Sequence, residues 1–374
     1  ASYVLGGVGS VYVKQTSPAS ATLVFNNLFT SLPPNFSTMS KTPWYFGQRG
    51  ISSDDPATFV GIIQVLGGAS VIGDATATVI SWKSGSLVDA SRLEMPSAIV
   101  AETWSVANGG TAIMPRLTAT GVTVAVSNSS TLEANVIQVA GLTITTNSRV
   151  SSLTSTTSSI ASLAVTATGA VTVDATSAID VTGKGCLKGY RWSATGPVTD
   201  GAATGYSGGS YGGYGGIYST NTVNEVYGSF DNPNEVGSGG GNLNSGSPGN
   251  AGGGLVRLTA NALTLQGSIM ANGQSSATGG NITYQGGSGG GIYVNVSSYS
   301  GSGTIQAQGS NCYYGPGGGG RVALYYTSGT VDVTKLSAAG GYFNRAAPSA
   351  SYVLGGVGSV YVKQTSPASA TLVF

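Results

Sequence analysis

Four stretches of this chain follow one layout: a glycine cluster, a strand of alternating polarity, a short polar turn, then a second strand. They read GGGLVRLTANALTLQGSIMANG (252–273), GGGIYVNVSSYSGSGTIQAQG (289–309), GGGRVALYYTSGTVDVTKLSAAG (318–340) and GGVGSVYVKQTSPASATLVF (355–374). The first-strand residues Leu255, Ile292, Val322 and Val360 fall 37, 30 and 38 residues apart, and the second-strand residues Ile269, Ile305, Leu336 and Leu372 fall 36, 31 and 36 apart. Within each strand the apolar residues alternate, so one side chain points in and the next points out. A unit of this size cannot bury its apolar face alone, and stacking copies on one another solves that problem. The pattern therefore predicts an all-β solenoid in which Leu255, Ile269, Ile292, Ile305, Val322 and Leu336 form core ladders. Variable Gly-rich loops link the coils, and the glycines permit close passage or positive φ.

A longer period encloses the short one. Residues 1–25 and 350–374 are the same 25 letters, ASYVLGGVGSVYVKQTSPASATLVF, and the second copy starts 349 residues after the first. The duplication reads as one full repeat followed by the opening of the next, within a longer tandem array. Lys363 belongs to the second copy; without it, 14 basic residues face 14 acidic ones. A neutral unit does not repel its copies, so stacking and lateral bundling are open to it. At roughly 25–35 residues per coil, one repeat would hold about 10–14 coils and extend on the order of 50–70 Å.

The remaining segments divide by composition. Residues 1–25 open the solenoid. The stretch 26–57 is an excursion with Pro33, Pro34, Pro43 and Pro56 among Phe36, Trp44, Tyr45 and Phe46. Residues 58–121 contain strand-like runs (TFVGIIQV, ATATVISW) of unclear register, read as a β-rich segment and candidate inserted subdomain. Residues 122–200 give further coils, with Val122–Val126, Val136–Thr145, Leu163–Val165, Ala170–Val173 and Ala178–Val181 as short strands. Residues 201–254 (GYSGGSYGGYGGIYS and onward) form a low-complexity surface loop, too polar to build a core of its own. Coils resume over 255–349, and 350–374 begin the next repeat.

The chain is poor in chemistry. It has no histidine, which excludes Ser-His-Asp and Cys-His nucleophiles and imidazole metal sites. Charged residues are 8% of the total, about a third of the usual share, and net charge is +1. No basic run is dense enough to follow phosphates, so no nucleic-acid partner is expected. No apolar run approaches the ~20 residues of a membrane span, so an export signal or anchor is expected outside this stretch. Gly286-Gly287-Ser288-Gly289-Gly290 matches a nucleophile elbow without a base to activate the serine. The run 315–320 satisfies GxGxxG, but a strand follows where a helix should begin. Close acidic groups are limited to Asp54-Asp55 and Asp231 with Glu235. In Asp231-Asn232-Pro233-Asn234-Glu235, the oxygens of Asp231, Asn234 and Glu235 are candidate Ca²⁺ ligands; the alternative is a polar turn bonded to its own backbone. Asp174 and Asp180 read as corner residues that accept backbone N–H bonds. Cys186 and Cys312 allow one disulfide, an inter-fibre bond or two free thiols.

The runs GGSGGGIYVNVSSYSGSGTIQAQG, GGGGRVALYY, VTVDATSAIDVTGKG and NPNEVGSGGG resemble very large, repetitive, secreted bacterial surface proteins of the filamentous-adhesin type. The resemblance covers the second half, from about Leu163, and the Gly6-Gly7 coil. It implies a right-handed parallel β-helix, an extracellular or cell-surface location and no enzymatic activity. Together these readings give a leading expectation: the structural repeat of an extracellular fibre whose partners are adjacent identical repeats. A second expectation is an adhesin holding glycans or partner cells on Trp44, Tyr45, Tyr206, Tyr211, Tyr214 and Tyr218. A β-helix polysaccharide enzyme is the third, and it requires a groove of clustered acids.

Overall fold

The computed structural model describes residues 9–16, 19–26, 44–46, 62–66, 70–73, 80–94, 98–218, 221–242, 250–275, 285–344 and 353–374. The chain is nearly all β, with parallel strands dominating its sheets. It divides into two compact units, 1–151 with 166–178, and 152–165 with 179–374.

The first unit is built from two ladders. One contains β1 (Gly9–Thr16), β2 (Ala19–Asn26), β4 (Ile62–Leu66), β6 (Ile80–Leu87), β8 (Ala98–Val106), β10 (Arg116–Val126) and β12 (Val136–Ile144), in that order. The other contains β3 (Trp44–Phe46), β5 (Ser70–Gly73), β7 (Arg92–Glu94), β9 (Thr111–Ile113), β11 (Thr131–Glu133) and β13 (Arg149–Ser151). Apart from the antiparallel pair β1–β2, these strands pair in parallel. Val65, Leu87, Val106, Val126 and Ile144 follow one another in register, each fully buried. Their spacings of 22, 19, 20 and 18 residues are shorter than the 25–35 expected per coil. The described strands within 58–121, β4 to β9, continue the same two ladders as β10 to β13 rather than forming a separate sheet of an inserted subdomain. The 26–57 excursion lies outside the described residues except for Asn26, which ends β2, and for β3.

Short coils need sharp corners, and the sequence supplies them. Positive φ occurs at Asp89 and Ala90, Asn108 and Gly109, Asn128 and Ser129, and Thr146 and Asn147. A left-handed non-glycine residue costs roughly 1–2 kcal/mol. Each corner offsets that cost by bonding to the next: Ala90 N–H to Asn108 O, Gly109 N–H to Asn128 O and Ser129 N–H to Thr146 O, all at 2.8 Å. Asn128 also donates its side-chain amide to Asn108 Oδ1 at 2.9 Å. Inside the corner, buried Ser148 and Ser177 hydroxyls accept from the N–H groups of Ser130 and Ser148 at 3.2 and 3.1 Å.

Asp174 continues this column, as its expected corner role requires. Its carboxylate accepts the N–H groups of Thr146 and Thr176 and the Thr176 hydroxyl. Burial opposes its charge, but these hydrogen bonds outweigh that penalty and hold the carboxyl below the usual range. A depressed carboxyl pKa stabilises the fold above the unfolded value, near pH 4, and that contribution disappears as pH falls through the folded value. Urea midpoints of the protein and Asp174→Asn should therefore differ at pH 7, and the difference should shrink as pH falls below the ordinary carboxylate range.

The second unit contains the parallel ladder β16 (Leu255–Leu265), β18 (Gly291–Ser300), β20 (Arg321–Gly329) and β22 (Ser359–Thr365), with β23 (Ala368–Val373) antiparallel at its edge. A second ladder holds β17 (Ser268–Met270), β19 (Thr304–Gln306) and β21 (Leu336–Ser337). The strands β14 (Leu163–Val173) and β15 (Ala178–Asp180) contribute residues to both units; β14 is one strand where two short ones are expected from the sequence. Ile292 stands opposite Val322, and Ile269, Ile305 and Leu336 stack in register, all buried. Leu255 departs from its expected ladder by one residue. Val256 is the register partner of Ile292, whereas Leu255 packs with Cys186 and Val236.

Beside these ladders the glycine clusters form an array of their own. The N–H groups of Gly286 and Gly289 both reach 315–318, bonding Gly315 O and Gly318 O. Ser288 bonds Ser238 O, Gly290 bonds Ala271 O and Gly291 bonds Gly254 O. Likewise Gly317 and Gly320 bond Ser310 O and Ala307 O, Gly318 bonds Gly209 O, and Gly319 bonds Gly356 O. In the pairs 286/289 and 317/320, donors three residues apart point to the same neighbour, which is the periodicity of a polyproline II-like chain with three residues per turn. Each such chain is thus hydrogen-bonded on several sides rather than two. Side chains are excluded by contact: a Cβ on Gly290 would lie 1.9 Å from Gly254 O, and one on Gly319 would lie 1.9 Å from Ala338 O. Close approach, not positive φ, explains these clusters.

The array corrects the reading of 201–254 as a surface loop. Residues 207–211 and 236–241 are buried, Gly209 N–H bonds Gly286 O, and Gly237 N–H bonds Gly253 O. Backbone hydrogen bonding orders a segment that has too few apolar side chains to order itself.

Candidate functional site

The described strands of the duplicated 25 residues pair in the same register at both ends. β22 and β23 pair antiparallel with Val360 opposite Val373, Tyr361 opposite Leu372 and Val362 opposite Thr371. β1 and β2 repeat that register with Val11 opposite Val24, Tyr12 opposite Leu23 and Val13 opposite Thr22. The two hairpins are joined to their surroundings through different strands. At the C-terminal copy the first strand, β22, pairs with β20, placing Val360 beside Val322 and Val362 beside Leu324. At the N-terminal copy the second strand, β2, pairs with β4, placing Leu23 beside Ile63 and Phe25 beside Val65. Among the described strands, β23 pairs only with β22 and β1 only with β2, so each copy is open at the edge that the other copy fills.

The C-terminal edge is also apolar. Leu372, Val373 and Phe374 are exposed to 39%, 42% and 77%, where outward positions elsewhere favour Ser and Thr. Val353, Leu354 and Val357 are exposed nearby in the sequence. A cavity of about 180 Å³ opens at this end of the second unit, lined by Leu336, Ala338, Val360, Val373 and Phe374 among others. A strand edge with unpaired backbone groups and exposed apolar side chains is a template for another strand.

An aromatic strip, not expected from the sequence, runs over neighbouring strands. The Arg257 guanidinium lies 4.1 Å from the Tyr293 ring centre, Tyr293 is 5.5 Å from Tyr325, Tyr325 is 5.8 Å from Tyr361, and Phe230 caps Tyr361 at 5.4 Å. Outward aromatics in IYVNV, ALYYT and VYVKQ were the available signal.

The expected contact loop splits apart. Tyr211 is fully buried, donates its hydroxyl to Glu235 Oε2 at 3.0 Å and lies 4.8 Å from Tyr227, so it is no surface contact. Its phenol is pushed well above its ordinary pKa, first by burial and then by the Glu235 charge. Tyr206 and Tyr218 are half-buried and pack with Tyr314 at 4.6 and 4.4 Å. Tyr214 is 48% exposed and donates to Glu225. Trp44 and Tyr45 lie in β3, opposite Val71 and Ile72; their side chains fall outside the described residues, as do Asp54 and Asp55.

The candidate calcium turn is occupied by protein groups. Arg257 donates to Pro233 O at 2.6 Å and to Asn232 Oδ1 at 3.1 Å. Asp231 accepts from Ser229, and Glu235 accepts from Tyr211 and from the Asn234 N–H. Among the described residues no group of three His, Cys, Asp or Glu side chains is placed to hold a metal. Cys186 and Cys312 are both fully buried and form no disulfide, and burial pushes the Cys186 thiol up to about 12. Cys186 packs as a small apolar residue with Val236 and Leu255. Ser288 of the elbow-like run is buried in the glycine array, its hydroxyl accepting the Ser238 N–H at 2.9 Å. Asp180 accepts the Thr182 N–H at 2.8 Å.

In comparisons with known proteins, no family model, no curated protein and no solved structure matched the chain. The functional reading rests on geometry.

Proposed function

We propose that this chain is the structural repeat of an extracellular fibre, a right-handed parallel β-helix whose 349-residue units follow one another end to end. The observation that carries this reading is the complementary pairing of the duplicated hairpin. β22 is held by the end of one repeat and β2 by the start of one, so a single hairpin serves both when repeats are consecutive. Covering Leu372 and Phe374 would contribute on the order of 2–4 kcal/mol, before any edge hydrogen bonds. The exposed edge makes an unpaired end prone to association, and a following repeat removes it. Formal neutrality of the unit favours lateral bundling of the resulting threads. Scattered acids and the lack of histidine support a structural role over catalysis.

A second reading, adhesion to glycans, is favoured by the half-buried Tyr293–Tyr325–Tyr361 strip, because sugar rings stack on aromatic faces. Tyr293→Ala with Tyr325→Ala should abolish glycan-array binding if that reading holds. Electron microscopy of native material tests the leading one. Long filaments with a regular axial repeat are expected; isolated globules would contradict it.

A further inference from the structure

The junction has a geometry that goes beyond stacking. β20 and β22 run parallel, β22 and β23 antiparallel, and β2 and β4 parallel. Across one shared hairpin, the strands of the following repeat therefore run opposite to those of the preceding one. The face that holds the core changes as well. In the second unit the buried face of β22 carries Val360 and Val362, which stand opposite Val373 and Thr371; Tyr361, on the other face, stands opposite Leu372. In the first unit Val65 is buried, and it stands in register with Phe25, two residues on from the Leu23–Ile63 pair. Leu23 is the equivalent of Leu372, and Val24, the equivalent of Val373, stands opposite Gln64. The core thus lies on the Val373 side before the hairpin and on the Leu372 side after it.

Resting on the tandem reading, we infer that consecutive repeats share one hairpin and lie on opposite faces of its sheet, related at the junction by a half-turn about the stacking axis. A half-turn about that axis reverses strand direction and exchanges faces together, while leaving the hand of the coil unchanged. It also accounts for apolar groups on what is elsewhere an outward face. Leu372 is 39% exposed in this chain because the coil that would cover it belongs to the next repeat. Tyr361 and Phe230 mark the same face of the preceding unit, next to the junction. The occupant of this surface is a second copy of this chain, whose β4 (Ile62–Leu66) pairs with the second strand of the hairpin.

The test uses a tandem chain, residues 1–374 followed directly by residues 26–374, with Asp placed at either of two adjacent positions in the shared hairpin. Leu372→Asp and Thr371→Asp point to opposite faces, and both positions are exposed in the single chain, so each variant of 1–374 serves as a folding control. In the tandem chain, Leu372→Asp should speed proteolysis at the junction by about a hundredfold, while Thr371→Asp should change it less than about threefold. The reverse order would place the following core on the same face and overturn the half-turn, leaving the fibre reading intact. No effect from either variant would mean that no coil covers the hairpin, overturning both. A cryo-electron microscopy map of the unsubstituted tandem chain gives an independent readout. Coil stacks on opposite sides of one hairpin are expected; stacks on the same side, or two separate hairpins, would contradict the inference.

Discussion

Gly290→Ala should destabilise the second unit by at least about 3 kcal/mol, at the upper end of what overpacking costs. The added methyl would meet Gly254 O at 1.9 Å and the Gly253 carbonyl carbon at 2.5 Å, both main-chain atoms of a neighbouring chain. No rotamer relieves such a contact, because the methyl has none and the obstacle is backbone. Separating the two segments would stretch the Gly291 N–H bond to Gly254 O at 3.0 Å and the Gly253 N–H bond to Ser288 O at 2.8 Å. Gly356→Ala is the matched control. It also sits in a glycine cluster, but its nearest obstacle is Tyr214 N at 3.1 Å, and it should cost about 1 kcal/mol or less. Denaturant titration of both variants checks the pair. Equal, small losses would mean that the clusters are loose loops.

Tyr211→Ala carries the second large effect, an expected loss of about 3–5 kcal/mol, the range for truncating a buried aromatic ring. The ring is fully buried beside Tyr227, with the Arg321 guanidinium 5.5 Å from its centre, and its hydroxyl is bonded to Glu235. Tyr214→Ala, three residues away, should change stability by less than about 1 kcal/mol, because that side chain is 48% exposed. Thermal denaturation of the two variants separates a tyrosine of the interior from one of the surface. A Tyr211→Ala protein as stable as the parent would restore the surface-loop reading of 201–254.

These two tyrosines show where sequence legibility stops. Both sit in the same SYGGYGG context, and their different burial is decided by Glu235 and Arg321, which are remote in sequence. Strands were legible because their signal is local: alternation marks Ile292 and Val322, and the structure pairs them. Leu255 was read one residue out because two adjacent apolar residues, Leu255 and Val256, both fit an inward position, and only the neighbour's register decides between them. The glycine array was illegible for a deeper reason. Its order lies in main-chain hydrogen bonds, to which the sequence contributes by omitting side chains, and low complexity resembles disorder on composition alone. The short coils of the first unit do leave a trace in the sequence, fainter than the glycine clusters. LVDAS, VANGG, VSNSS and TTNSR place the corner residues at 87–91, 106–110, 126–130 and 145–149. The site was half legible: the duplication was plain, but which strand of each copy is paired required coordinates.

X-ray diffraction from aligned native fibres tests the central claim most directly. Coils piled along the thread place neighbouring strands about 4.7–4.9 Å apart in that direction, so a sharp reflection near 4.8 Å is expected along the fibre axis. A 4.8 Å reflection perpendicular to the axis, or none, would show that the strands are not stacked along the thread and would contradict the account.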